Sequence, residues 1–264
     1  MDKFYNTIHK FNSKIIIRKN VNRINIIRNV IDNIGDYMSS PFRNFNINGE
    51  IYDIYNINTI QNNINQVVVG GGGLFHPCFK DEMNKIFRRD NYKIILWGCG
   101  LNEHGKISSS YDINMLKKCT LIGIRDYGVG LPWVPCSSCM HFAFDQKYSI
   151  LNKIVIYEHK CFPISNTLPY PRMNNTSNFI DVINFLGTAE YIITSSYHGV
   201  YWSTLLNKKV FCKPFSSKFF YLKYKPIFIE NYKINGEPDN FPNALIECRK
   251  ANKAFYKTLL SLPS

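Results

Sequence analysis

Apolar residues along this chain come in short, near-continuous runs, and between the runs the spacing of apolar positions becomes helical. In the first half, Ile24–Val30, Gln66–Val69, Lys93–Trp97 and Thr120–Arg125 read as strands. Asp81–Arg89 and Tyr111–Lys117 read as helices between them. The second half repeats the pattern, with strands Lys153–Tyr157, Tyr191–Ile193 and Lys209–Cys212, helix Asn178–Leu186 and a helix from Tyr197. Short strands without polar alternation are buried on both faces, and intervening helices make the sheets mostly parallel. Asn243–Leu260 is a final amphipathic helix whose apolar positions include Leu245, Phe255 and Leu259. The expected fold is therefore α/β, in two halves that meet across a cleft at the carboxyl ends of their strands. The loop-rich stretch Asp126–Tyr148, with Pro132 and Pro135, carries the crossing between them.

Composition narrows the partners. With 264 residues and 45% hydrophobic content, the chain can bury one large or two small cores. No apolar run approaches the roughly 18 residues of a membrane span, and Met1–Asn20 holds too short an apolar cluster for a signal peptide; a cytoplasmic protein is expected. The eight cysteines are scattered and do not form a disulfide framework. Thirty-two Lys and Arg against 19 Asp and Glu leave a net charge of +13, a field that draws phosphorylated small molecules or an anionic membrane surface. There is no long basic tail and no nucleic-acid motif, so nucleic acid is not the expected partner.

The candidate chemistry sits at predicted strand ends. Tyr191–Ile193 runs into Thr194-Ser195-Ser196-Tyr197-His198-Gly199, where hydroxyls and an imidazole meet the start of a helix, a place that favours an anion. Trp202, Leu205 and Leu206 give that helix its buried face, and His198 is expected off that stripe, near the exposed end. Gly70–Gly73 and Gly98-Cys99-Gly100 read either as tight turns or as backbone that approaches a ligand closely. Arg125 suits bidentate binding of carboxylate or phosphate, or alternatively pairs with Asp126. Asn33–Asp36 reads first as a helix cap, with Asp36 as a proton acceptor in the functional alternative. Cys136, Cys139 and His141, with His76 and Cys78 upstream, do not supply the four ligands of a structural zinc site, and no metal is expected.

Taken in order, Asn33-Ile34-Gly35-Asp36, Val69–Gly73, Trp97–Gly100, Gly123–Asp126 and Ser195–Gly199 resemble the motifs of the polysaccharide pyruvyl transferase family. The resemblance spans about residues 25–215. It implies two facing Rossmann-like domains of GT-B type. Residues 1–148 would form the N-terminal, acceptor-side domain and 149–242 the C-terminal, donor-side domain, with helix 243–264 packed back on the former. The implied reaction moves a pyruvyl group from phosphoenolpyruvate, a co-substrate, to two hydroxyls of a saccharide, with no bound cofactor. His198, Arg125 and Asp36 would be catalytic. Gly71, Gly72, Gly73, Gly98, Asn33, Ser195, Ser196 and Tyr197 would bind substrate. The arginine-leucine that usually precedes the family's histidine is Ser196-Tyr197 here. A glycosyltransferase using a nucleotide-sugar, and a non-catalytic protein binding acidic glycans or nucleic acid, are the competing readings.

Overall fold

The computed structural model describes residues 22–60, 63–230 and 235–262. The first half contains β1 (Arg23–Ile27), α1 (Ile34–Met38), α2 (Pro41–Phe45), β2 (Glu50–Asp53), β3 (Gln66–Val69), β4 (Gly72–Phe75), α3 (Lys80–Arg88), β5 (Lys93–Leu101), α4 (Ile113–Leu116) and β6 (Cys119–Ile124). The second contains β7 (Asn152–Glu158), β8 (Arg172–Asn174), α5 (Phe179–Gly187), β9 (Ala189–Thr194), α6 (Tyr197–Leu205), β10 (Lys209–Cys212) and β11 (Ile227–Phe228), followed by α7 (Ala244–Ser261). Every strand pairing within the two sheets is parallel.

In the first sheet β3 pairs Gln66 with Lys93, and β4 pairs Gly72 with Cys99, so the offset along β5 is unchanged between them. β4 is thus a continuation of β3 along the same edge of β5, while β6 takes the other edge. Of the two readings of Gly70–Gly73, the tight turn is therefore not what the chain adopts. The tight-turn reading of Gly98-Cys99-Gly100 does not hold either, because all three residues lie inside β5. The register with β6 shifts between Trp97 and Cys99, where Gly98 adopts a φ of +66°. A glycine in that conformation makes a bulge and lets the strand continue.

Alternate residues on each strand serve different cores, as the pleat requires. Val67, Val69, Ile94 and Leu96 face Met83, Ile86 and Phe87 of α3. Val68, Ile95 and Trp97 face Phe255 and Leu259 of α7. In the second sheet, Val155, Tyr157, Ile192 and Val210 pack on α5 and α6, while Ile156, Ile193 and Phe211 pack on Ile164 and Ile229.

The halves share a core. Ile34, Met38, Cys136, Cys139 and Phe144 belong to one buried cluster with Tyr157, Val200 and Trp202. Hydrogen bonds stitch the same seam: Ile34 N–H donates to Asn175 O at 2.9 Å, Gly105 N–H to Phe215 O at 2.9 Å and Tyr127 N–H to Tyr221 O at 2.8 Å. Helix α7 joins both sides, with Cys248 in the shared cluster and Phe255 against the first sheet. Buried Asn252 holds it there, accepting from Trp97 Nε1 at 2.9 Å and donating to Pro135 O at 3.1 Å.

Candidate functional site

A cleft of about 450 Å³ lies between the halves. Its walls come from the segments that follow β1, β4, β5, β6, β7, β9 and β10, the carboxyl ends expected of a parallel-sheet ligand site. Four lysines and arginines line it, Arg28, Arg125, Lys160 and Lys218, against two carboxylates, Asp32 and Asp36. Lys160 and Asp32 form an ion pair that joins the two rims.

Arg125 follows β6 and is 3% exposed. A Cβ at Gly100 would lie 2.7 Å from Arg125 Cγ, so the glycine is what allows the arginine stem to lie across β5. Its guanidinium carbon sits 4.1 Å from the centre of the Tyr197 ring, and one Nη donates a long bond of 3.4 Å to Leu101 O. Arg125 Nε and Asp126 Oδ1 stand 3.9 Å apart, and each lacks a hydrogen-bond partner among the described residues. Asp126 is occupied through its other oxygen, which accepts from Leu101 N–H at 2.7 Å and from Tyr111 Oη at 2.5 Å. The ion pair weighed from sequence is therefore loose, and a buried guanidinium is left with unused donors.

Lys218 was not singled out from the sequence. It stands in the turn after β10, 8% exposed, with its ammonium 4.4 Å from the Phe215 ring centre and 5.4 Å from that of Phe219. No described residue offers it a hydrogen bond or a carboxylate within 4 Å. Burial, reinforced by the charge of Arg125, lowers its pKa to about 7, with Asp36 acting in the opposite direction. Two buried, poorly satisfied cations facing one cavity are costly to fold unless a ligand uses them.

Helix α6 presents His198. The expectation that His198 lies near an exposed end is corrected: every residue of α6 is buried, and His198 is 6% exposed. The cause is the seam, since the Cys136–His141 segment packs on the face opposite the sheet. There Tyr201 Oη donates to Cys136 O at 2.8 Å and Trp202 Nε1 to Ser138 Oγ at 3.0 Å. His198 Nε2 is 3.6 Å from Cys136 Sγ. Its Nδ1 lies over Gly35 of α1, where an added Cβ would come within 2.2 Å. Burial first, and then Arg125 and Lys218, hold its pKa well below the usual imidazole value, so the ring is neutral at pH 7. At the start of α6, Ser196 N–H is taken by Thr194 Oγ1 at 3.0 Å and Gly199 N–H by Ser196 Oγ at 3.3 Å. The amides of Tyr197 and His198 are the donors this turn has left.

Asp36 faces these groups from α1. Asn33 does not cap that helix through its side chain; its Nδ2 donates to Asp36 Oδ2 at 2.7 Å, and its Oδ1 accepts from Asn175 at 3.0 Å. Burial raises the Asp36 pKa, and the charges of Lys218, Arg125 and Arg28 oppose the rise.

Of the residues singled out from sequence, His198, Arg125, Asp36, Asn33, Gly73, Ser196 and Tyr197 line the cleft. Gly71, Gly72, Gly98 and Ser195 do not. A Cβ at Gly71 would strike Ser39 O at 2.7 Å, and one at Gly98 would press on Pro135 O at 3.1 Å, so these two serve packing. Gly72 lies beside Asp36 without reaching the cavity. Ser195 Oγ accepts from His159 N–H at 3.0 Å and donates to Phe162 O at 2.6 Å, shaping a loop of the rim. Among the described residues no helix is long and apolar enough to cross a membrane, and no cluster of three His, Cys, Asp or Glu has the grouping of a metal site.

No family model matches the chain. No curated protein matches it either. Among solved structures, it is similar to a functionally uncharacterised protein of Klebsiella pneumoniae, at 14% identity and a TM-score of 0.50, over 80% of this chain and 93% of that one. At that identity the likeness is one of fold alone.

Proposed function

We propose that the chain is a phosphoenolpyruvate-dependent pyruvyl transferase of GT-B-type arrangement, acting on a saccharide. The observation that carries this reading is the pair Arg125 and Lys218, buried and under-satisfied at the wall of a cleft that also holds His198 and Asp36. Phosphoenolpyruvate brings a carboxylate and a phosphate, about three negative charges at neutral pH, spaced for two separate cations. In the resembling family an arginine precedes the histidine. That position is Ser196 here, and Lys218 supplies a cation to the same cleft from a different loop.

The residues support a balanced sequence of steps. A proton passes to the methylene carbon of phosphoenolpyruvate, leaving an electrophilic C2. One sugar hydroxyl adds to C2 as its proton departs. A second hydroxyl then displaces phosphate: its oxygen bonds to C2, the C–O bond to phosphate breaks, and the released proton leaves with phosphate. With its pKa lowered, His198 is neutral at pH 7 and by itself is not an acid. A trianion bound against Arg125 and Lys218 offsets the two charges that help depress it and raises its proton affinity. Asp36, already held above the usual carboxylate range, is the acceptor for the hydroxyl proton. Charge stabilisation and positioning carry the remainder.

The test is incubation with phosphoenolpyruvate and a saccharide panel, following phosphate release and a sugar-mass gain. Wild-type protein is expected to release phosphate with matching ketal. His198→Gln is expected to keep its fold and its stabilisation by phosphoenolpyruvate while losing transfer. Stabilisation by a nucleotide-sugar but not by phosphoenolpyruvate would replace this reading with that of a glycosyltransferase.

A further inference from the structure

One part of the cleft is unlike the cationic pocket. His104, exposed in the loop after β5, makes edge-on ring contacts with His76 at 4.6 Å and with Phe162 and Phe215 at 5.4 Å each. Phe162 and Phe215 stack face to face at 3.7 Å with planes 10° apart, and His159 borders both. All five rings line the cleft. We propose that this ring cluster is the acceptor subsite and takes an uncharged pyranose, held by its C–H face with its hydroxyls directed to the imidazoles.

The chemistry of the rims supports that class of ligand. His76 Nδ1 accepts from Cys78 N–H at 3.1 Å, and His159 Nδ1 accepts from Cys161 N–H at 3.2 Å. An acceptor Nδ1 places the proton of a neutral imidazole on Nε2, so both rings keep an N–H donor for a hydroxyl oxygen. Desolvation, only partial for His76 and His104 and greater for His159, lowers the pKa of all three, in the last case to about 4, and Lys218 pushes each in the same direction. The ring cluster is therefore uncharged at pH 7, with the Phe162–Phe215 stack at its centre and imidazole donors at its rim. A sugar ring has the complementary make-up, an apolar face and a polar edge, and pockets for such ligands combine aromatic walls with a few placed polar groups. The cluster adjoins Lys218, whose ammonium also lies over Phe215, so a sugar seated here borders the donor pocket.

This inference rests on the transferase reading for the identity of the sugar as acceptor, but binding tests it separately. Methyl hexopyranosides would be titrated with the full chain, with and without phosphoenolpyruvate, by saturation-transfer NMR, with uridine as the competing planar probe. The expected result is sugar binding with saturation strongest at the ring C–H protons. It should weaken about tenfold in Phe162→Leu, which keeps apolar bulk but no plane, and in His104→Ala. Thermal stabilisation by phosphoenolpyruvate should stay unchanged in both. Equal sugar affinity in the variants, or uridine occupying the cluster in place of sugar, overturns the proposal. Sugar binding that depends on Phe162 without any effect of phosphoenolpyruvate would uphold the subsite and remove the proposed donor instead.

Discussion

Lys218 makes anion binding depend on pH in a range where the ligand itself does not titrate. With its pKa at about 7, the ammonium is half protonated at pH 7 in the empty cleft. By pH 9 the protonated fraction is about 1%, so affinity for an anion that requires the charge falls about 50-fold, roughly 2.3 kcal/mol. A phosphate ester, with its second pKa near 6, stays dianionic across that interval. Titration calorimetry with phosphoenolpyruvate at pH 7, 8 and 9 reads the slope directly, and the heat measured in buffers of different ionisation enthalpy counts the proton taken up. Lys218→Arg keeps the cation without titrating and should flatten the dependence. A flat affinity in the wild type, or the same slope in Lys218→Arg, would refute the reasoning. The same group has a signature in stability. Its folded pKa lies below the unfolded value of about 10.5, so the folded chain binds fewer protons between pH 7 and 10.5. Lysine burial thus destabilises the empty protein fully below pH 7, and the penalty fades as pH rises toward 10.5. Lys218→Met should raise the stability of the ligand-free protein at pH 7, by up to roughly 4 kcal/mol, while abolishing anion binding.

Gly35→Ala should improve the local helix propensity of α1 yet displace His198, because the new Cβ would stand 2.2 Å from its Nδ1. Turnover is expected to drop about 100-fold with the circular dichroism spectrum unchanged; full activity would show that the ring position is not critical. Arg125→Lys should weaken phosphoenolpyruvate binding, since a point charge cannot replace a planar fork stacked on Tyr197; an unchanged dissociation constant would count against Arg125 as the donor clamp. Asn252→Ala leaves Trp97 Nε1 and Pro135 O without partners in the core and should cost about 2–3 kcal/mol in urea unfolding. A smaller loss than about 1 kcal/mol would mean that packing alone holds α7 in place.

Most strands legible in the sequence carry apolar runs that are largely buried, such as Gln66–Val69 and Lys209–Cys212, and β6 was legible from its apolar run although it is only partly buried. β2 and β11 flank their sheets and are only partly buried, β8 is three residues long, and β4 begins with two glycines, so none carries such a run. Helix α6 misled for the opposite reason. Buried all round, Tyr197–Leu205 needs no polar face, and an amphipathic stripe drawn through Trp202 and Leu205 has no physical basis. The site was legible where chemistry coincided with a strand end, as at Arg125, Asp36 and His198. Lys218 follows no motif, and a lysine among serines reads as surface. One signal was present: residues 191–229 contain no aspartate or glutamate, and Lys218 stands within them directly before Phe219 and Phe220. A cation with aromatic neighbours and no acid nearby in sequence is a candidate for burial without a partner.

Helix α7 has a consequence for how the protein is made. Phe255 and Leu259 cover Val68, Ile95 and Trp97, and a Cβ on Gly123 would lie 2.5 Å from the Phe255 ring. Those aromatic and aliphatic contacts are supplied about 120 residues after β6 is synthesised. At ribosomal rates of about 5–20 residues per second, one face of the first sheet stays bare for roughly 6–24 s. During that interval the nascent chain presents a parallel sheet with an uncovered tryptophan, a surface suited to chaperone capture or to association between neighbouring nascent chains. The first half is therefore completed only after the second has been made, by a helix encoded beyond it.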